Sequence, residues 1–511
     1  MAPVKEEGLF ITSSHVPEVT RASLVALPYE LLAEICANFC WYLHAEEDDD
    51  SEDTVTRVRE AQCTLARLSR TCRRMSEIVQ PMLFHRVYAS RASDLYLLAR
   101  ALVDRPELGS ELTEVIVTTP HQDREMAHSQ QIAGLVEENL SIGDVWTPAW
   151  SRFTAGDRFA ALASLLLHFA PKLTSACFHL LGPPSLVIEQ ALKRWNTSIQ
   201  HLTGLKRLTL RAFDHDHQFV LDQVVYLLRA VPSVEVLHCD GCADVSEQFR
   251  GLSGRAPIPN PPRLPNVTEL ILTDCGVARR GLANLTHALG DNLARVTVRK
   301  DGRHHHRHHR HPYNYNHGRS GWASSATGFG VGGSGGINGG SINASSTAPP
   351  EFTIASLELE EILEALQPRW AGTLRELTYH VPCALRLFPP PALESLPRFT
   401  ALELLDLSTD AVDFGELHHT PSVFASWLPP SLRRLRLLGP ALLVPSLRGL
   451  LDAVLARRLP NLERIDITDQ VCAAAWLMDE VGKFRETVAG LRAQGVQVVI
   501  HPRYPELESK Y

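Results

Sequence analysis

The residues best equipped for chemistry fall into four groups. Cys239 and Cys242 form a Cys-x-x-Cys, the spacing of a dithiol redox pair or of half a zinc site. His304 to His311 is almost all His and Arg, and imidazole is a common ligand for transition metals. Gly328-x-Gly330-x-x-Gly333 has the spacing of a dinucleotide-binding loop, and Gly332-x-Ser334-x-Gly336 that of a nucleophile elbow. The fourth group is arginine, at 207, 211, 295, 299, 434, 436 and 464, in a chain whose formal charge is −8. Guanidinium forks bind carboxylates and phosphates bidentately. What any of these groups can do depends on the elements that hold it.

The glycine motifs lack a scaffold. Both mechanisms need a strand before the loop and a helix after it, and Gly328 to Ser346 is almost all Gly, Ser, Ala and Asn. The histidine tract precedes that segment, so nothing fixes its rings as a second shell would. Residues 301–350 are therefore expected to be a disordered insertion that cannot bury enough apolar surface to fold. No Ser/His/Asp set and no paired carboxylates stand out elsewhere, so no catalytic residue, cofactor or metal is assigned.

Around that insertion a pattern returns: apolar, two of anything, apolar, one of anything, apolar. Its copies are Leu112-Val115-Val117, Leu173-Ala176-Phe178, Leu205-Leu208-Leu210, Val234-Leu237-Cys239, Val267-Leu270-Leu272 and Leu293-Val296-Val298. After the insertion come Leu374-Leu377-Tyr379, Leu402-Leu405-Leu407, Leu432-Leu435-Leu437 and Leu462-Ile465-Ile467. Most steps are 26 to 33 residues; that from Leu112 to Leu173 is 61, which suggests a degraded unit between them, and that from Leu293 to Leu374 is 81. Between copies the period becomes helical, as in Leu221-Val224-Val225-Leu228, Leu359-Ile362-Leu363-Leu366 and Leu447-Leu450-Leu451-Val454. This resembles the leucine-rich-repeat signature, one strand and one helix per unit. The resemblance implies an α/β fold, a curved solenoid with strands on the concave wall and helices outside.

The register of the repeat decides two of the four groups. Cys239 is a sixth, core-facing position, while Cys242, Cys275 and Asp410 are ninth positions, so the cysteines are expected to pack rather than react. The third, fifth and seventh positions should face outward, because side chains alternate along a strand. They hold Arg207, Arg211, Arg295, Arg299, Arg434, Arg436 and Arg464, alongside Asp240, Glu376, Asp406, Asp466, His238 and His380. An arginine excess on a concave face could clamp an acidic or phosphorylated segment; the plainer reading is a mixed, solvated surface.

The N-terminal region follows another rule. Leu27, Leu31, Leu32 and Ile35 recur at helical steps after Pro28, which suits a first helical position, with Glu30 in the first turn. Ala61, Leu65, Leu68 and Cys72 repeat the pattern, Pro81 to Val87 (with Leu83 and Phe84) follows, and Glu46 to Asp53 between the first two reads as a solvated acidic excursion. Two short amphipathic helices cannot enclose much core alone. The strings Leu27-Pro28-Tyr29-Glu30-Leu31-Leu32 and Leu65-Ala66-Arg67-Leu68-Ser69-Arg70-Thr71-Cys72-Arg73-Arg74 resemble the F-box, in a form like that of fungal F-box proteins. Cys40-Trp41 echoes their first helix, and Met75 stands where the family usually has an aromatic.

That resemblance implies docking to a Skp adaptor, and through it a cullin, by Leu27, Pro28, Leu31, Leu32, Ile35, Leu65, Leu68, Cys72, Leu83 and Phe84. The repeats would hold an unknown protein target, making the chain a non-catalytic substrate receptor of an SCF-type ubiquitin ligase. A repeat scaffold acting outside a ligase is the alternative, and a GTPase regulator a third reading for which no catalytic Arg or Asn is identifiable. The expected organisation is a tail over 1–23, a helical module over 24–90 with an acidic insertion at 45–55, repeats over 91–300, the insertion at 301–350, and repeats with a cap over 351–511. The charge balance argues against general nucleic-acid binding. No apolar run suits a membrane span. Ten cysteines without a framework fit an intracellular protein, cytoplasmic or nuclear, in which the triplets at Asn196, Asn266 and Asn284 are chance glycosylation matches.

Overall fold

The computed structural model describes residues 27–38, 52–89, 92–117, 162, 165–180, 202–212, 218–245, 249, 261–300, 358–381, 393–408, 421–438, 444–468 and 481–501. The N-terminal tail, Glu46 to Ser51, the His-rich and Gly-rich segments, Asn196 and Asp410 lie outside them.

Three helices come first: α1 (Tyr29–Ala37), α2 (Glu52–Ser69) and α3 (Arg73–His85). Pro28 is the cap of α1 rather than its first turn, with φ −52° and ψ 152°; its carbonyl accepts from the Leu32 N–H at 3.1 Å. Helix α2 takes Glu52 and Asp53 into its first turn, so the acidic excursion is shorter than the sequence suggests. The third segment is no separate piece: α3 runs unbroken through Pro81, and its cap is Cys72, whose thiol accepts from the Met75 N–H.

Strand β1 (Arg86–Ala89) follows α3 with no intervening residue, so the sheet begins inside the expected 24–90 module. After α4 (Ala92–Asp104) come β2 (Glu114–Val117), β3 (Ser175–Leu180), β4 (Arg207–Ala212), a two-residue β5 (Phe219–Val220), β6 (Val236–Asp240), β7 (Cys242–Asp244), β8 (Glu269–Thr273) and β9 (Arg295–Arg299). The second half supplies β10 (Glu376–His380), β11 (Leu404–Ser408), β12 (Arg434–Leu438), β13 (Arg464–Thr468) and β14 (Gln497–His501). All but β5 and β7 join one 12-stranded sheet in chain order, and every pairing is parallel. The fold is α/β and solenoid-like.

All ten copies of the apolar pattern are sheet strands, and every one of their core positions is at most 6% exposed. Adjacent strands align these positions side by side: Leu405 pairs Leu435, which pairs Ile465, which pairs Val498. The helical periods pack against that ridge, with Leu221, Leu228, Ile362, Leu363, Leu366, Leu447 and Leu450 all fully buried. A helix and a strand that each have one apolar side are stable only in such a stack.

Backbone geometry repeats as well. At each step the carbonyl of the second position accepts two N–H groups from the next unit, as Arg433 accepts from Glu463 at 2.8 Å and Arg464 at 3.0 Å. One residue before the first apolar position, Asn or Ser ties unit to unit. Asn266 donates to the Pro232 carbonyl, Asn461 to that of Pro430, and Ser431 to that of Leu402.

Two expectations about spacing are corrected or refined. Strand β2 pairs directly with β3, so no degraded unit stands between them in the sheet, although the step is 61 residues long. Likewise β9 pairs directly with β10 across the 81-residue step. Replacing residues 303–352 with a short Gly-Ser link should therefore leave the thermal midpoint within about 2 °C of the parent, since no sheet pairing among the described residues is removed. A larger drop in a melting experiment would show that the insertion supports the array.

Candidate functional site

Two surfaces hold the predicted site residues. The first is the helical module, which closes a core of its own: Leu32, Cys36, Ala61, Leu65, Met75, Ile78 and Val79 are buried together. Met75 is among the largest deeply buried side chains of that cluster. Leu27, Leu68, Cys72 and Leu83 lean on the same cluster, whereas Phe84 packs against the core of the sheet. Ile35 is half-buried.

The apolar stripe of α1 thus splits. Leu32 points inward, but Leu31 is 46% exposed, and Tyr29, which the stripe did not include, is 51% exposed. Neighbouring helical residues differ by about 100° in direction, so two adjacent leucines cannot share a side. The module sits firmly on the sheet: Gln62 in α2 donates its amide to the Arg86 carbonyl of β1 at 2.8 Å.

The second surface is the open face of the sheet. Its arginines are not free cations. Arg211 donates to Asp240 at 2.7 Å. Arg295 lies between Glu376 at 3.4 Å and Glu269 at 3.5 Å. Arg434 and Arg464 both donate to Asp466 at 2.7 Å, and Arg436 donates to Asp406 at 3.3 Å. Histidines join the same carboxylates, His380 to Asp406 at 2.8 Å and His501 to Asp466 at 3.0 Å. Arg207 lies half-buried in β4, and Arg299 is exposed at the end of β9, in register with Thr273 and His380. The face is an ion-pair ladder in which arginines alternate with carboxylates and histidines.

Asp466 is the most tightly held member, its side chain wholly shielded from solvent. Burial pushes its carboxyl up, but hydrogen bonds from Arg464, His501 and Arg434 overcome that and hold it at about 2. It is charged under all ordinary conditions.

The edge where the strands begin carries a groove of about 840 Å³, crossed by Arg375, Glu403, Arg433 and Glu463. Signs alternate along it, and Arg433 closes on Glu463 at 2.6 Å, so the groove satisfies itself and offers no selective ligand chemistry.

Cys239, Cys242 and Cys275 form a buried group between adjacent units, and Cys275 donates its thiol to the Cys239 carbonyl at 3.2 Å. Burial, reinforced by the proximity of the thiols to one another, pushes all three well up, which keeps them protonated and unreactive. Among the described residues no group of His, Cys, Asp or Glu is placed to hold a metal ion. No described helix is long and apolar enough to cross a membrane. Asn284, at 2% exposure, donates its amide to the Val245 carbonyl, so its side chain serves packing rather than glycosylation.

Sequence reasoning missed Tyr29, the buried depth of Asp406 and Asp466, and the Asn/Ser ties. The last had a visible signal, a proline just before the Asn or Ser in Pro232-Ser233, Pro265-Asn266, Pro430-Ser431 and Pro460-Asn461. No known protein family matches this chain, and no curated protein matches its sequence.

Proposed function

We propose that this protein is a substrate-recognition subunit of an SCF-type ubiquitin ligase, with the module over residues 24–90 as an F-box docking a Skp adaptor and a leucine-rich-repeat array presenting the target. The observation that carries the reading is the pair Tyr29 and Leu31, exposed on a helix whose module already has a closed core of its own. Two large apolar side chains close together on one helix end, one of them aromatic, are the kind of patch that anchors a protein interface.

The burial pattern selects the variants. Tyr29→Ser with Leu31→Ser should reduce capture of recombinant Skp adaptor by at least about tenfold, on the hot-spot scale of interface anchors, without moving the thermal midpoint. Leu32→Ala is the contrasting control: it opens a cavity in the module and should cost about 2–4 kcal/mol of stability. Undiminished adaptor capture by the double variant would rule out docking through α1. Purification with one stable partner but neither Skp nor cullin would favour the scaffold reading.

A further inference from the structure

We propose that the outer edge of β14 is a docking site for an extended segment of a partner protein, one that carries a carboxylate two residues from an aliphatic side chain and binds as an added strand. The proposal goes beyond the ligase reading and needs neither adaptor docking nor the open face of the sheet.

The two ends of the sheet are finished differently. At the first, α2 reaches β1, and the Gln62 amide occupies the Arg86 carbonyl. At the last, β14 pairs with β13 alone. The core row shows the consequence. Ile500 lies in register with Ile467, which has no exposed surface, yet Ile500 is 38% exposed. It is a core position that no further unit covers among the described residues.

Backbone polarity gives this edge its direction. The Gln497 N–H donates to the Glu463 carbonyl at 2.8 Å, toward β13. Successive residues of a parallel strand turn their polar groups to opposite sides, so those of Val498 and Ile500 point away from β13. A guanidinium marks the same side: Arg492 donates to the Val498 carbonyl at 3.1 Å. Open sheet edges are commonly blunted by charged residues, proline or bulges. Gln497 to Ile500 hold no charge and no proline, and their register with β13 is unbroken.

Charge selects the occupant. The helix Val481–Ala493 buries Phe484, Val488 and Leu491. Its Gly490 lies against Leu451 of the preceding helix, where a Cβ would stand 2.8 Å from the leucine side chain. Arg485 and Arg492, two turns apart, fall on the side opposite Gly490, toward the open edge. Both are exposed, and Arg485 has no ion pair among the described residues. Glu486 is turned about 100° from Arg485 and does not neutralise that side. A second copy of the chain would meet this edge about a twofold axis and set these arginines against their own counterparts. A guest carboxylate beside Val498 meets them with opposite charge, and an aliphatic residue two places along covers Ile500. Arg492 then exchanges a neutral carbonyl for a carboxylate, a bond about twice as strong.

The probe is a fluorescently labelled peptide, Thr-Val-Thr-Glu-Thr-Val-Thr, whose symmetry serves either strand direction; its companions carry glutamine or lysine at the centre. In anisotropy titrations with the full chain, the glutamate peptide should bind at least about fivefold more tightly than the glutamine peptide, and the lysine peptide least. Arg485→Gln with Arg492→Gln should erase that order and leave the thermal midpoint unchanged, because both side chains are exposed. A second measurement needs no variant. Methylating every other backbone nitrogen of the glutamate peptide should abolish binding in one phase and spare it in the other, because an added strand bonds through one edge. Equal binding of the three peptides, an order that survives the arginine substitutions, or two methylation phases that behave alike would each overturn the proposal. So would binding that appears only after residues 502–511 are deleted, which would give the edge to the chain itself, or a dimer in sedimentation that the peptide dissociates.

Discussion

Replacing Asp466 by asparagine is expected to cost about 2–3 kcal/mol of folding free energy at neutral pH, although the side chain hardly changes size. The carboxyl titrates at about 2 in the folded chain against an ordinary 3.8. That depression corresponds to about 2.5 kcal/mol of preferential stabilisation of the ionised form. Asparagine keeps one acceptor oxygen but turns an amide toward Arg434, Arg464 and His501, all of which donate to the carboxylate. Those partners are about a third exposed and can turn to water, which keeps the loss below that of a fully buried broken pair.

The sign of the pH effect follows. A depressed carboxyl contributes stability that is complete above pH 3.8 and disappears as pH falls toward 2. The gap in thermal midpoint between parent and Asp466→Asn should be wide at pH 7 and clearly narrower at pH 3. A gap that stays constant over that range would mean that the ladder stabilises by packing rather than by charge.

The second large effect belongs to Trp370. This residue has no exposed surface and donates its indole N–H to the Gly290 carbonyl at 2.9 Å. Its neighbour Arg369 donates to the carbonyls of Thr286 and Leu289, the last turn of the helix Arg279–Ala288. The helix Leu359–Trp370 is thereby fastened to the unit before the insertion, across 80 residues of chain. Gly290 itself is obligatory, since a Cβ there would lie 2.1 Å from the Pro265 carbonyl oxygen.

Trp370→Ala should destabilise by about 3–5 kcal/mol, the scale for removing a large buried aromatic. Trp370→Phe, which keeps most of the packing, should lose about 1–2 kcal/mol, chiefly the hydrogen bond. Because stacked units depend on neighbours, the alanine variant should also split the denaturation curve into two transitions, one for each side of the weakened interface. A single sharp transition at the parental midpoint would show that the two halves of the array do not meet through this contact.

The sheet was legible because a strand's core positions are written locally, in six residues. Strand β1 is masked by its neighbour: Phe84-Val87-Ala89 fits the apolar pattern, but Phe84 also lies in the last turn of helix α3. Strand β14 escaped because its first position is Gly495, whose φ of +85° makes a turn where other units place leucine. The pairing of the arginines was not legible. Spacing says which face a residue occupies, but Arg434 and Asp466 are 32 residues apart, and only the register of β12 on β13 joins them. The division of α1 into Leu32 inward and Leu31 outward was likewise hidden, because both are apolar and composition carries no direction.

Helix α3 passes into β1 at His85–Arg86 without a spare residue, and the Gln62 amide on the Arg86 carbonyl pins the junction from the side. Among the described residues no loop separates α3 from the sheet, so the direction of the helix is set by the strand that continues it. Along the sheet, distance from that junction is counted in strands at about 4.8 Å apiece.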